Sequence, residues 1–170
     1  EDAFRAVNPQ GLLPVLELED GTKLTQSMAV LEYLEEIHPT PALLPDNPVL
    51  RARIRAVADV IACDIHPIDN LRVLKYLRGP LGHDQDTVNE WYVHWVKLGF
   101  DAIEELIEGN EFCFGDTVSL ADICLLPQIY NAHRFKLSLQ SYPKIRRVEE
   151  RCGELKAFAD AHPSAQEDAE

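Results

Sequence analysis

An α+β fold class follows from three observations on the 170-residue sequence. A proline heads a short run that alternates apolar and polar residues; a turn and a second short run follow it; and beyond a proline-rich stretch every segment carries helical periodicity. The expected architecture is a small sheet-bearing N-terminal domain followed by an all-helical C-terminal domain.

Asp2-Ala3-Phe4-Arg5 reads as the end of a helix or a loop leading into Asn8. Pro14 lacks an N–H and opens Val15-Leu16-Glu17-Leu18, so it fits only the first residue or the edge of a strand. An X-Pro bond keeps a trans preference of only about 0.5–1 kcal/mol, so a cis Leu13–Pro14 bond is accessible. Such a bond could turn the N–H and C=O of Leu13 outward, toward an extended peptide. Glu19-Asp20-Gly21-Thr22 is a turn in which Gly21 supplies the positive φ, and Lys23-Leu24-Thr25 is the returning strand. Thr25-Gln26-Ser27 precedes a helix whose apolar face is Val30, Leu31, Leu34 and Ile37, with Ser27 as its N-terminal cap. The start of that helix offers N–H groups and partial positive charge to a carboxylate. Taken singly, these features read first as an ordinary cap and an ordinary loop proline.

The stretch from His38 to Pro48 separates two textures and places a linker at 38–47, between a first domain at 1–37 and a helical domain at 48–163. Leu50, Ile54, Val57, Ile61, Ile65 and Ile68 predict one long helix running to about Leu77, bent at Pro67 and stopped by Gly79-Pro80. Val88, Trp91, Trp95, Leu98, Ala102 and Leu106 mark the next helix, which Gly109-Asn110 ends. Ser119 caps a third helix, with Asp122 placed to reach back to the cap N–H. Ile123, Leu126, Ile129 and Tyr130 continue its apolar face, and Pro127 is a second expected bend. Shorter helices follow at about 143–152 and 154–161, and the polar tail at 164–170 reads as disordered. No internal repeat is present.

Sixteen Lys and Arg against 29 Asp and Glu give a formal charge of −13, which repels nucleic acid and anionic membranes. No apolar run approaches the roughly 18–20 residues of a membrane span and no signal peptide opens the sequence, so a cytoplasmic protein is expected. Cys63, Cys113, Cys124 and Cys152 lack metal or disulfide spacing and read as free, largely buried thiols; no metal site is expected.

Asn8-Pro9-Gln10-Gly11-Leu12-Leu13-Pro14 together with Leu24-Thr25-Gln26-Ser27 resembles the glutathione-binding half of a thioredoxin-like domain in the glutathione transferases. Gly115-Asp116-Thr117-Val118-Ser119-Leu120-Ala121-Asp122 resembles the helix-capping motif of that family's helical domain. Within the family the chain is most similar to the zeta class, the maleylacetoacetate isomerases. That likeness also rests on Leu31-Glu32-Tyr33-Leu34-Glu35-Glu36, Ile65-His66-Pro67-Ile68-Asp69-Asn70-Leu71, Leu126-Pro127-Gln128-Ile129-Tyr130-Asn131 and Asn131-Ala132-His133-Arg134-Phe135.

The resemblance implies that Leu13, before a cis Pro14, pairs its backbone with the cysteinyl part of glutathione, and that Gln26 and Ser27 hold the γ-glutamyl end. It implies that His66 and Asn70, four residues apart on one helical face, approach glutathione; on residues alone His66 reads first as a surface histidine beside a kink. Asp69 departs from the amide common at its position. Arg134 can clamp a substrate carboxylate with its planar fork, or serve only the dipole of its helix end. The class activates glutathione with a Ser-Ser-Cys segment that this sequence does not contain. The expectation is therefore that no catalytic residue lies in this chain and that the activating serine, within a β-α-β segment, lies upstream of it.

The implied reaction adds the glutathione thiolate to the cis double bond of maleylacetoacetate, allows rotation, and eliminates to fumarylacetoacetate in tyrosine and phenylalanine breakdown. Glutathione is regenerated as a cofactor, the substrate is a small anionic diketo acid, and a homodimer is expected. The alternatives are general glutathione conjugation, α-halo acid dehalogenation, or a non-catalytic binding module on the same scaffold.

Overall fold

Pro14 initiates the first strand of a two-stranded antiparallel sheet: β1 (Val15–Glu17) pairs with β2 (Lys23–Thr25), Leu16 opposite Leu24. Leu18 N–H donates to Thr22 O at 2.8 Å, Gly21 stands at φ 83°, and the Asp20 carboxylate accepts Thr22 N–H at 2.8 Å. That last hydrogen bond holds the Asp20 carboxyl below its usual range. A one-turn helix, α1 (Asp2–Arg5), precedes the sheet, and α2 (Ser27–Ile37) follows it.

The computed structural model describes residues 2–167 and 169, and it divides the chain into two compact units that meet in sequence at Leu44 and Pro45. Residues 38–44 fold with the first unit: the Glu35 carboxylate accepts Leu43 N–H at 3.0 Å and Leu44 N–H at 2.9 Å, and Leu44 is buried. A carboxylate on α2 thus satisfies backbone donors that a free linker would leave to water.

The second unit is helical throughout: α3 (Pro48–Asp59), a π-helical turn (Val60–Ile65), α4 (Leu71–Arg78), α5 (Gln85–Leu106), α6 (Leu120–Arg134), α7 (Pro143–Gly153) and α8 (Lys156–Asp160). Asn47 caps α3, accepting Val49 and Leu50 N–H, and Pro48 takes the first helical position, where its missing N–H costs nothing. Ile54, Val57, Ile61, Ile65, Val96, Phe100, Ile103, Leu125, Ile129, Ile145 and Val148 form the core. Each such side chain contributes roughly 1.5–3 kcal/mol.

Two expectations about helices are corrected. The single long helix from 50 to 77 is instead broken. His66 N–H donates to Ile61 O at 2.9 Å, five residues back, and the Ile65 carbonyl then takes both Ile68 and Asp69 N–H at 3.2 Å. The chain leaves the helix over 66–70 and restarts at Asn70, whose side chain accepts Arg72 N–H at 3.1 Å. Pro67 cannot donate to the ladder, and a π turn before it plus a capping Asn after it turn a bend into a break. The apolar faces assigned to α5 and α6 are also out of phase with burial. α5 buries Val88, Tyr92, Val96, Gly99, Phe100 and Ile103, with Leu98 56% exposed and Leu106 exposed. α6 buries Leu120, Ala121, Asp122, Leu125, Gln128, Ile129 and Ala132, leaving Tyr130 exposed. Trp91 and Trp95, half-buried and packed edge to face at 5.7 Å, drew the expected stripe aside: their large rings border the core without filling it.

The tail is ordered further than expected. Pro163–Ala165 forms a 3-10 turn, and Gln166 Nε2 donates to Asp160 O at 2.8 Å. The tail residues Asp168 and Glu170 lie outside the described residues. All four cysteines are free; Cys113 and Cys152 are buried, Cys124 is half-buried and Cys63 is exposed. Among the described residues no helix is long and apolar enough to cross a membrane.

Candidate active site

In the first unit the loop before β1 is built from its own side chains. Asn8 is buried; its Nδ2 donates to Leu12 O at 2.6 Å and its Oδ1 accepts Gln10 N–H at 3.1 Å. Gly11 turns the chain at φ 67°, donating to Asn8 O at 2.8 Å, and the Leu13–Pro14 bond that follows is cis. Leu13 is 80% exposed, and its N–H and carbonyl have no hydrogen-bond partner among the described residues. An unpaired donor and acceptor on the residue leading into a strand form an edge able to pair with a peptide.

The start of α2 lies beside this loop. Gln26 Nε2 donates to Gln10 Oε1 at 2.6 Å, so the two candidate segments are joined through a glutamine pair that sequence reading did not single out. Ser27 does not cap α2, as had been expected. It is the first helical residue, and Gln26 occupies the cap position at φ 72° with no side-chain bond to the helix. A non-glycine residue in the left-handed region is costly unless its surroundings fix it. Here that conformation presents the Gln26 and Ser27 side chains, both exposed, at the positive end of α2.

In the second unit His66 is exposed at the end of the π turn and Asn70 is half-buried as the cap of α4. The break between them removes the shared helical face the sequence had suggested, leaving the two side chains on opposite sides of a turn in chain order. Between them lies Asp69, 7% exposed, with neither carboxylate oxygen hydrogen-bonded among the described residues. Burial pushes its carboxyl up to about 7. On α5 the buried Tyr92 hydroxyl is raised by burial, an effect the Gln128 amide and Arg134 reduce and Asp69 reinforces. Arg134, exposed at the last turn of α6, reaches Asn131 Oδ1 at 3.5 Å.

No thiol of this chain is primed as a nucleophile. Burial raises Cys124 to about 11 and Cys152 to about 12, and lifts Cys113 further still. Cys63 is raised by burial and by the carboxylates of Asp59 and Asp64. A thiolate at neutral pH needs the opposite surroundings, positive and partly exposed. Among the described residues no cluster of His, Cys, Asp or Glu is placed to hold a metal ion.

Residues 1–37 match the family model for the N-terminal domain of glutathione S-transferases, and residues 95–156 match that for the C-terminal domain. The chain is 48% identical over 168 residues to the maleylacetoacetate isomerase of Pseudomonas aeruginosa, covering 99% of this chain and 79% of that protein. It superposes at TM-score 0.97 and 48% identity on a holo maleylpyruvate isomerase described as a zeta-class bacterial glutathione S-transferase, covering all of this chain and 82% of the other. It superposes at TM-score 0.89 and 43% identity on the maleylacetoacetate isomerase of Anaeromyxobacter dehalogenans with glutathione in its active site, covering 99% and 81%. The chain belongs to the glutathione S-transferase family, within the zeta class of glutathione-dependent maleylacetoacetate and maleylpyruvate isomerases.

Proposed function

We propose that this chain isomerises maleylacetoacetate to fumarylacetoacetate with glutathione as cofactor, as a cytoplasmic homodimer serving tyrosine and phenylalanine breakdown. The single observation that carries the reading is the exposed, unpaired backbone of Leu13 beside a cis proline and next to the Gln26–Ser27 helix start, all within one unit. These residues fit a γ-glutamyl peptide: a strand edge for its backbone, an amide for its amino group, and a helix N-terminus with a serine hydroxyl for its carboxylate. When bound, glutathione supplies a thiol that adds reversibly to the substrate's cis double bond.

The chain's own residues bind and orient. Leu13 offers its N–H and C=O to the cysteinyl backbone, Gln26 and Ser27 hold the γ-glutamyl group, and His66 and Asn70 are further polar groups assigned to glutathione. Arg134 takes a substrate carboxylate, since a guanidinium meets a carboxylate with two parallel hydrogen bonds. Fixing both reactants in this way converts a bimolecular encounter into an intramolecular one, where effective molarities reach about 10⁵ M or more.

The test is an assay of the full reading frame with glutathione and maleylacetoacetate, following fumarylacetoacetate formation. Turnover with glutathione recovered unchanged supports the assignment. Consumption of glutathione without isomerisation moves the protein to conjugation or α-halo acid dehalogenation, and tight glutathione binding with no turnover of either kind makes it a binding module. Maleylpyruvate belongs in the same assay, because the relative matched at TM-score 0.97 is described as acting under that name.

A further inference from the structure

Within the helical unit, a cleft of about 580 Å³ runs between α4 and α5 and ends against Phe135. Its walls are Leu71, Leu74, Val88 and Phe135, and the polar groups it receives from α4 are Lys75 and Arg78. Both cations are exposed, and among the described residues neither has an ion pair or a side-chain hydrogen bond. α4 itself carries Arg72, Lys75 and Arg78 and no acid. Ahead of α5 the cap residue Asp84 spends its carboxylate on Thr87 N–H at 2.8 Å, and the first turn of α5 carries Asp86 beside the lining residue Gln85.

A bland account exists for cations in the last turn of a helix, since they complement its dipole. It does not account for their opening onto an apolar cleft. Lys75 and Arg78, three residues apart, share one face with Leu71 and Leu74, so charge and apolar wall face the same space. Phe135, which ends that space, directly follows Arg134, and its ring is fixed by stacking on Tyr92 at 3.5 Å and 5°. A cationic end and an apolar wall suit one carboxylate and the carbon chain of a dicarboxylate, and the charge of Arg134 acts on the same Tyr92 on which Phe135 stacks.

We infer that the α4–α5 cleft is the subsite for the substrate's second carboxylate, held by Lys75 and Arg78 while Arg134 holds the first. The inference rests on the isomerase reading above and names the part of the chain that selects a dicarboxylic diketo acid. Maleylacetoacetate and maleylpyruvate both carry that second carboxylate; maleylacetone lacks it. The subsite therefore acts on specificity, through KM, and Lys75 and Arg78 are substrate-binding residues without a role in proton transfer.

The experiment compares maleylacetoacetate with maleylacetone in the wild type, in Lys75→Gln/Arg78→Gln, and in the charge-retaining Arg78→Lys. In the double variant the ratio of kcat/KM for the dicarboxylate to that for maleylacetone is expected to fall about 5- to 10-fold, the range for a partly exposed charge-assisted contact, with the loss in KM. Arg78→Lys should restore most of that ratio. An unchanged ratio in the double variant, whether both substrates fall together or neither falls, overturns the subsite. If the wild type turns over neither substrate, the isomerase reading fails on its own. The subsite is then judged by calorimetric binding of suberate, an eight-carbon dicarboxylate: weakening in the double variant supports it, and equal binding in both proteins overturns it.

Discussion

Asp69 is a carboxyl group placed where an amide would be easier to accommodate. Its two oxygens are unpartnered among the described residues, and burial raises it from 3.8 to about 7. The unfolded chain releases this proton near pH 4 while the folded chain keeps it until about pH 7, so the group removes stability progressively between those values. A shift of that size corresponds to an upper bound on the order of 4 kcal/mol. Asp69→Asn should therefore stabilise the protein by a few kcal/mol at pH 8 and by much less at pH 4.5. Urea denaturation at the two pH values measures this, and an equal gain at both would rule out the raised carboxyl as its source. Asp122 presents the opposite case, a fully buried carboxylate that is fully used. It accepts Cys113 N–H at 2.8 Å, Ser119 N–H at 2.8 Å and the Ser119 hydroxyl at 2.7 Å. Its capping role was legible from the spacing Ser119 to Asp122, with an expected cost of about 1 kcal/mol for losing the cap. The bond to Cys113 was not, because it joins residues brought together by the turn before α6. Asp122→Ala should cost roughly 3 kcal/mol or more, since it strands two buried N–H groups at about 1–3 kcal/mol each. Thermal or urea unfolding would register it, and a loss near 1 kcal/mol would reduce the residue to a simple cap.

At the level of elements, the joint between α3 and α4 carries the consequence. A π turn followed by Pro67 and the Asn70 cap leaves His66 exposed, Asp69 buried and the Asn70 side chain accepting Arg72 N–H. The π turn packs on α5 where Gly99 leaves no room: a Cβ there would stand 2.3 Å from Ile65 Cδ1. Gly99→Ala is expected to destabilise by about 1–3 kcal/mol despite its higher helix propensity. Adding Ile65→Ala should recover part of that loss, and a double-mutant cycle by chemical denaturation reads the coupling directly. Independent, additive losses would mean that the two helices do not meet through these side chains. The same contact explains the misplaced stripe on α5. Periodicity counts Gly99 as a gap and Trp95 as core, whereas packing needs the gap at the closest approach and leaves the indole at the border. The result of a proline depends on its neighbours: at Pro67 the expected bend is a break, while at Pro127 α6 remains one element from Leu120 to Arg134.

For the molecule as a whole, glutathione binding should appear as stability. A ligand at 100 times its Kd adds about 2.7 kcal/mol to a protein that binds it only when folded. The thermal midpoint of the full reading frame should rise with glutathione, and the rise should shrink markedly in Gln26→Ala and Ser27→Ala while the midpoint without ligand moves little. Equal ligand-induced shifts in wild type and variants would remove Gln26 and Ser27 from the site.

Legible in the amino-acid order were the fold class, the strand opened at Pro14, the antiparallel turn at Gly21, the order of the helices outside the 50–77 segment, and the family. All of these rest on local rules: a missing N–H, a positive φ, a repeat near 3.6 residues, and motifs at fixed spacing. Tertiary structure alone decided the left-handed Gln26 and its pairing with Gln10, the break at 66–70, the true buried faces of α5 and α6, the raised carboxyl of Asp69, and the cleft that gathers Lys75 and Arg78 beside Phe135. Each depends on groups distant in the chain, whose packing sets burial and charge environment that no local pattern encodes.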